Sequence, residues 1–283
     1  MIWDKTMRAH RRFAVVALAI AFPLASAGSV CGEDYRDAAR HFSLVIPDDW
    51  SRMPPERVAA INQVVAQKLA ALSVHYDTGF APKGSPMNGY PYILVQIISQ
   101  SMAGATYAAI EQSLERDMPG KVNEVKGKLA DFVSNLDFQG TMLDREKNRI
   151  VTRVDSEVAG VGRVRGMSVG AIGSQGIVFL HCYAKEADFP KYLPTFNEII
   201  DSFQYDPGFT FTPAQTPSVP GQPFRGLMDM MGSGMVGAVI GAIAGLFAGG
   251  VVALFFAIFK RRKKPFSTRG EGSQRDATPR QSL

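Results

Sequence analysis

The residues best suited to chemistry in this 283-residue chain are three histidines and a pair of adjacent aspartates. His41, His75 and His181 lie far apart, and none has a second ligand at the spacing that zinc sites use. Asp48 and Asp49 have the types needed for a general acid and base, but neighbouring side chains on an extended turn diverge. Because aspartate favours turns, we expect a solvated turn there. The sequence therefore predicts no metal site and no catalytic carboxylate pair.

Other signatures of catalysis give no candidate either. We expect no nucleophile elbow, and the glycines between the strand candidates serve hairpin turns and cannot open a phosphate-binding helix. We therefore predict a noncatalytic chain with no cofactor. The alternative is a membrane-tethered hydrolase whose site gathers distant residues, with His75, His181 and carboxylates in one deep pocket.

The elements that position these residues predict an α+β domain. Residues 42–46 predict a first strand, which ends in the turn from Pro47 to Trp50. A helix is expected from residue 55 to about 73, and the apolar run 92–98 is typical of a central strand buried on both faces. The helix is predicted from apolar residues at helical spacing, namely Val58, Ile61, Val65, Leu69 and Leu72.

The second half of the domain predicts two helices, a meander and a closing helix. The two helices, at 106–118 and 121–133, are expected to break at Pro119-Gly120. A closing helix at 187–204 presents a continuous apolar stripe. Between them, glycine-containing turns separate three antiparallel strand candidates at 141–157, 163–172 and 177–184. This order predicts an α+β fold with an antiparallel sheet covered by helices.

Two motifs carry a resemblance to a known family. The opening segment Phe42–Trp50 runs from a strand into a proline and a tryptophan, and the last helix ends in Ile199-Ile200-Asp201-Ser202-Phe203. With the late meander, these features make residues 40–205 resemble the PsbP-like domains of exported bacterial proteins. The resemblance implies a PsbP-like sandwich used for binding or assembly, and it carries over no active residues.

The net charge of +5 lies at the two ends of the chain. Residues 1–27 and 260–283 are basic, whereas residues 28–259 carry a small net negative charge. A nucleic-acid-binding domain needs a basic face, so we predict no nucleic-acid partner.

An export signal is expected at the start of the chain. The apolar run 13–24 follows three arginines and precedes Ala25-Ser26-Ala27, the small residues that signal peptidase recognises. We predict cleavage after Ala27, with Met7 as an alternative start of translation. The run is shorter than the roughly 20 apolar residues that span a bilayer, so an uncleaved anchor is the weaker reading.

The two cysteines allow more than one interpretation. In an exported chain, Cys31 and Cys182 could form one disulfide bridge. Alternatively, Cys182 is an unpaired, buried residue on a strand face. Lipid attachment at Cys31 is disfavoured because Val30, and not a small residue, precedes it.

A membrane anchor is expected near the C-terminus. The run Met235–Phe259 contains only apolar residues and glycine, and it is long enough to cross a hydrocarbon core of about 30 Å. A basic cluster follows and should remain in the cytoplasm, where it attracts anionic membrane lipid. Together with the export signal, this predicts a single-pass type I protein of the cell (inner) membrane whose main domain is periplasmic or extracellular. The flanking basic residues are Lys260, Arg261, Arg262, Lys263 and Lys264.

Glycine recurs at every fourth position of this anchor. That spacing places the glycines on one helix face, where a second helix can approach closely. We expect a homo-oligomer formed through this face, although glycine is also common in membrane helices generally. A pore is not expected, because no polar side chain is available to line one. The glycines are Gly237, Gly241, Gly245 and Gly249.

These observations predict a membrane-anchored extracytoplasmic binding or assembly module for an unknown protein or small ligand. An envelope-stress sensor that signals to its tail is the other alternative. The predicted parts are a signal peptide at 1–27, an extracytoplasmic domain at 28–205, a proline-rich linker at 206–225, a transmembrane region at 226–259 and a disordered basic tail at 260–283.

Overall fold

Two antiparallel sheets and three helices make up the part of the chain described by the computed structural model, residues 32–68, 74–87, 89–130 and 133–215. In chain order the elements are β1 (Glu33–Asp37), β2 (Phe42–Ile46), β3 (Trp50–Arg52), α1 (Pro55–Lys68), β4 (Thr78–Pro82), β5 (Tyr92–Ser99), α2 (Tyr107–Leu129), β6 (Val133–Asp144), β7 (Arg149–Val158), β8 (Gly162–Gly173), β9 (Gly176–Lys185), α3 (Phe189–Ser202) and β10 (Gln204–Tyr205). The α+β class expected from the sequence is confirmed.

The larger sheet has the strand order β3-β4-β5-β9-β8-β7-β6, and the smaller one has the order β1-β2-β10. Strand β5 pairs with β4 on one side and with β9 on the other, and Tyr92–Val95 are fully buried. The central strand predicted at 92–98 is therefore confirmed. Strand β1 was not predicted, because its five residues, Glu33–Asp37, are mostly exposed and carry no alternating apolar pattern.

Each face of the larger sheet has its own hydrophobic core. Helices α1 and α2 cover one face, and the predicted positions Val58, Ile61 and Val65 are buried there. Helix α3 and the smaller sheet cover the other face, where Trp50 packs edge-on against Phe196. Burial of each large apolar side chain contributes roughly 1.5–3 kcal/mol, so these two cores dominate the stability of the domain.

The predicted break at Pro119-Gly120 is wrong, because α2 continues through both residues. Proline lacks an N–H, and its place inside a helix costs about 3 kcal/mol. However, Met118, Val122 and Val125 continue the buried face of α2 past this point. Burial of three such side chains is worth more than the cost of the proline, so the helix does not break.

The meander has four strands, not three. Strand β6 begins at residue 133, where a predicted helix ended, includes residues 134–140, for which no element was predicted, and ends within the predicted strand 141–157. A turn separates β6 from β7. In that turn Asp144 Oδ1 accepts the N–H groups of Glu146 and Lys147, each at 3.1 Å, and Asn148 has a positive φ of 52°. The other two predicted strands correspond to β8 and β9, and the closing helix corresponds to α3.

The folded chain continues beyond residue 205, where the linker was predicted to begin. Phe211 is buried, Thr210 forms a β-bridge with Gly173, and the N–H of Ala214 donates to Ala105 O at 2.9 Å. Asp206 also pairs with Arg36 at 2.9 Å. The segment 206–215 therefore packs on the domain.

Several predictions fall outside the described residues. They include the signal peptide at 1–27, Cys31, the helix end at 69–73, the rest of the linker at 216–225, the transmembrane region at 226–259 with its glycines, and the tail at 260–283. Among the helices that are described, none combines the length and hydropathy needed to cross a bilayer.

Candidate binding cleft and buried polar network

A chain of three polar side chains lies inside the larger sheet. The Nδ1 atom of His181 lies 2.6 Å from Ser168 Oγ, and its Nε2 atom lies 3.0 Å from Gln96 Oε1. Because an amide oxygen can only accept, Nε2 carries the proton and Nδ1 accepts from the serine hydroxyl. These residues come from β8, β9 and β5, which are neighbours in the sheet. The imidazole is therefore neutral, and both of its nitrogens have partners.

Ser168 also stands in a Gly-x-Ser-x-Gly frame, Gly166-Met167-Ser168-Val169-Gly170, which the expectation of no nucleophile elbow passed over. A nucleophile elbow places its serine on a sharp turn between a strand and a helix. Here Ser168 lies in the middle of β8 and pairs with Thr152 on one side and His181 on the other. The motif is therefore part of a regular antiparallel ladder, and it has no elbow geometry.

The burial of this network decides what it can do. His181 has no exposed surface, and Ser168 and Gln96 are 3% and 4% exposed. Burial lowers the pKa of His181 to about 3, since the charged imidazolium loses its hydration. The ring also stacks on Phe179 at a centroid distance of 5.7 Å. Ser168 and His181 are therefore not accessible to a substrate. Their hydrogen bonds connect three neighbouring strands of the sheet.

The other two histidines lie elsewhere. His41 follows β1 and stacks on Phe209 with 3.6 Å between ring centroids, while His75 is exposed beside β4. In the described ranges no group of three or more histidine, cysteine or acidic side chains is placed to hold a metal ion. The deep pocket that the hydrolase alternative needs, with His75 and His181 together, is not formed by the described residues.

Asp48 and Asp49 form the exposed turn that the sequence predicted. The N–H of Trp50 donates to Pro47 O at 2.9 Å and closes the turn. The backbone oxygen of Asp49 accepts the N–H of Lys83 at 2.8 Å. Both side chains are exposed to solvent.

Cys182 is a free cysteine with no exposed surface. Burial raises the pKa of its thiol far above the ordinary value, because the thiolate would lose its hydration. Its predicted bridge partner, Cys31, lies outside the described residues, so the bridge stays a prediction.

A cleft of about 560 Å³ opens between α1 and the segment that leads into β4. We call it the α1–β4 cleft. This volume is within the range of small-ligand sites, which are lined mainly by apolar groups with a few polar ones. Its lining comprises Arg52, Met53, Pro55, Val58, Ala59, Asn62, Gln63, Ala66, Val74, His75, Tyr76, Asp77 and Thr78.

Asn62 fixes the shape of the α1–β4 cleft. Its Nδ2 donates to Tyr76 O at 2.8 Å, and its Oδ1 accepts the N–H of Tyr76 at 2.8 Å. One side chain of α1 thus satisfies both backbone groups of a residue that lies outside the sheet ladder. The two walls of the cleft are held together by this pair of hydrogen bonds.

Two opposite charges line the same cleft. Arg52 donates from Nε to Thr78 Oγ1 at 3.0 Å, and Asp77 Oδ2 accepts the N–H of Ile97 at 2.9 Å. Neither side chain forms an ion pair within the described part of the chain. Partial burial raises the pKa of the Asp77 carboxyl group above its ordinary value. The hydrogen bond from the Ile97 N–H and the nearby charges of His75 and Arg40 oppose this rise. No motif in the sequence indicated this arrangement, because its members come from separate segments.

No family model matches the chain, and no curated protein sequence matches it. Among solved structures it is similar to cyanobacterial PsbP (CyanoP) from Synechocystis sp. PCC 6803, with a TM-score of 0.41 and 12% sequence identity over 65% of this chain and 99% of that chain. It is also similar to the Saccharomyces cerevisiae Ran-binding protein Mog1p, with a TM-score of 0.33 and 8% identity over 62% of this chain and 96% of that chain. The PsbP-like resemblance noted in the sequence is therefore also found when structures are compared.

Proposed function

We propose that this protein is a noncatalytic, membrane-tethered binding or assembly module, which receives its ligand or partner in the α1–β4 cleft outside the cytoplasm. The observation that carries the proposal is the cleft itself. It combines apolar side chains, such as Met53 and Val58, with polar and charged ones, such as Asn62 and Asp77. Ligand sites commonly have this composition.

Binding explains the cleft better than catalysis does. The polar pair that most resembles a catalytic centre, Ser168 and His181, is enclosed in the sheet. The charges in the cleft, in contrast, reach solvent, but no nucleophile with an adjacent base accompanies them. Groups of this kind orient a bound molecule and do not attack it.

Two segments of the sequence support the tether and the location. The predicted signal peptide at 1–27 and the apolar segment 235–259, with basic residues directly after it, support a domain held outside the cytoplasm by one helix. A tethered domain needs only modest affinity for its partner, because tethering raises the effective concentration of the domain near the membrane surface.

Site-specific photocrosslinking in the full-length protein tests the cleft. A photoreactive amino acid at Gln63, which lines the cleft, should crosslink to a bound protein or ligand in membranes from the native host. The matched control is Gln67, which has the same residue type, lies one turn further along α1 and is exposed outside the lining. Adducts at 63 and not at 67 support the proposal, whereas equal adducts or none at either position contradict it.

A further inference from the structure

We propose that the free edge of β6 is a self-association surface, at which a second copy of this chain pairs antiparallel with residues 141–144. Strand β6 is the last strand of the larger sheet, and among the strands that the structure describes it pairs with β7 alone. The inference goes beyond the proposed function, because the α1–β4 cleft takes no part in it.

The outer edge of β6 offers backbone N–H and C=O groups to a further strand. Proteins usually protect such an edge with lysine, proline, bulges or a very short strand. Strand β6 has 12 residues, and none of them is lysine, arginine or proline. Its two register irregularities lie before Thr141, so Thr141–Asp144 pair with β7 in regular register. This last stretch is therefore able to extend the ladder to another strand.

Met142 gives this edge an exposed apolar contact. It is 62% exposed, and it borders a depression of about 260 Å³ that Gly140, Val151 and Arg153 also line. In an antiparallel pair with a two-fold axis at Met142, the two Met142 side chains lie directly opposite each other on the same face, with Cβ atoms about 4.5–5.5 Å apart. Each would cover the other, and the loss of exposed apolar surface favours the pair.

Charge complementarity favours the same register. With Met142 opposite itself, Asp144 of the second copy lies opposite Gly140, which has no side chain and has open space around it. The carboxylate can therefore approach Arg153 on the adjacent strand. Arg153 is exposed and forms no ion pair or hydrogen bond within the described part of the chain. A two-fold axis at Asp144 would instead place two carboxylates opposite each other, which is unfavourable.

A second copy of this chain suits the edge because the contacts are self-complementary, as a two-fold interface requires. Asp144 uses Oδ1 to accept the two N–H groups of its own turn, and its Oδ2 has no partner among the described residues. Each copy thus supplies one free carboxylate oxygen and one free guanidinium, and the contact forms twice. The ladder is short, but the membrane tether proposed above would raise the local concentration of the copies.

Disulfide crosslinking of the full-length protein in cell membranes tests the contact. Every variant carries Cys31→Ser, and Cys182 is buried, so the new cysteine is the accessible one. Met142→Cys places two thiols across the two-fold axis, at a separation that a disulfide can bridge. Met87→Cys is the matched control, because Met87 is also an exposed methionine but lies in the segment before β5. Mild oxidation should give several-fold more reductant-sensitive dimer at 142 than at 87.

Charge variants in the Met142→Cys protein test the register. Arg153→Glu places a carboxylate next to Asp144 of the other copy at two symmetric positions, so it should lower the dimer yield about threefold or more. Adding Asp144→Asn should recover most of that loss, because it removes the repulsion and keeps an oxygen for the N–H groups of the turn. Lys191→Glu, the same change of charge at an exposed position of α3, should leave the yield unchanged.

Absence of dimer at position 142, or equal dimer yields at 142 and 87, would overturn the inference. The same holds for a loss with Arg153→Glu that Asp144→Asn does not recover, or for an equal loss with Lys191→Glu. Association through the predicted membrane helix alone would bring the domains together without a preferred contact and would give equal yields at the two positions. The comparison of 142 with 87 therefore separates the β6 edge from the membrane helix.

Discussion

The Nε2 atom of His181 lies 3.0 Å from Oε1 of Gln96, and this single contact fixes which nitrogen of a fully buried imidazole carries the proton. The proton on Nε2 leaves Nδ1 free to accept from Ser168, so a neutral ring satisfies all its hydrogen bonds without water. A charged ring carries a proton on both nitrogens, so its Nδ1 would need a hydrogen-bond acceptor. The Ser168 hydroxyl could accept that proton only if it stopped donating to Nδ1. The network is therefore built for the neutral form.

The stability of the domain should depend on this histidine below neutral pH. Its pKa is lowered from 6.5 to about 3 in the folded state, so between these values the unfolded chain binds a proton that the folded chain does not. Because the unfolded state binds more protons, the free energy of unfolding falls as the pH decreases, by about 2 kcal/mol between pH 7 and pH 5. Thermal unfolding of the full-length protein across this range measures the effect.

His181→Gln should flatten that pH dependence, and the slope is the readout because the variant also loses packing. His75→Gln, which replaces an exposed histidine, is the matched control and should keep the wild-type slope. A His181→Gln slope as steep as that of the wild type would show that other groups cause the pH dependence.

The ion pair between Arg165 and Asp155 leads to a different prediction. Arg165 donates to both carboxylate oxygens of Asp155, at 2.8 and 2.7 Å, and the Asp155 side chain is only 12% exposed. This hydrogen bonding raises the pKa of Arg165. Arg165→Met would leave a nearly buried carboxylate without its main partner, so we expect a loss of about 1–3 kcal/mol in denaturant unfolding.

The neighbouring Arg163 is the matched control. It pairs with Glu186 at 3.0 Å, but its side chain is 66% exposed, so Arg163→Met should change stability by at most about 0.5 kcal/mol. Adding Asp155→Asn to Arg165→Met should recover part of the loss, because it removes the uncompensated charge. Equal losses for the two arginine variants would contradict this account.

The continuous course of α2 predicts that its proline reduces stability. Pro119→Ala restores an N–H that can donate to the carbonyl of Glu115, and the side chain of Pro119 is exposed, so no packing is lost. We expect a gain of about 1–2 kcal/mol, measured as a higher unfolding temperature. Gly120→Ala, which has open space around its added methyl, should gain only about 0.5–1 kcal/mol. A lower unfolding temperature for Pro119→Ala would mean that the proline shapes the helix in a way that the fold requires.

The sequence predicted best where apolar periodicity and packing agree. The stripe of α3 and the buried run of β5 repeat at the spacing of their element, and both were identified correctly. Pro119 and the turn at Arg145–Asn148 were misread, because local signals for breaks and strands compete with burial of residues far away in the chain. The PsbP-like resemblance came from residues at the two ends of the domain.

The site could not be predicted in the same way. Contacts such as Gln96 with His181, or Arg52 with Thr78, join residues whose proximity depends on strand pairing and register. Periodicity says which face a residue occupies, but it does not say which residue lies opposite. The Gly-x-Ser-x-Gly frame around Ser168 was overlooked in the sequence, and the structure shows that it lies within a strand ladder.

The predicted membrane helix leads to a final test. If the glycine face mediates association, replacing Gly241 and Gly245 with isoleucine should prevent close approach of two helices and reduce crosslinked dimer in detergent several-fold. Phe247→Ile introduces the same side chain on the opposite side of an ideal helix, so it should leave the dimer yield unchanged. An unchanged yield in the double glycine variant would remove the association hypothesis. Equal losses in both variants would indicate that the effect is not specific to the glycine face.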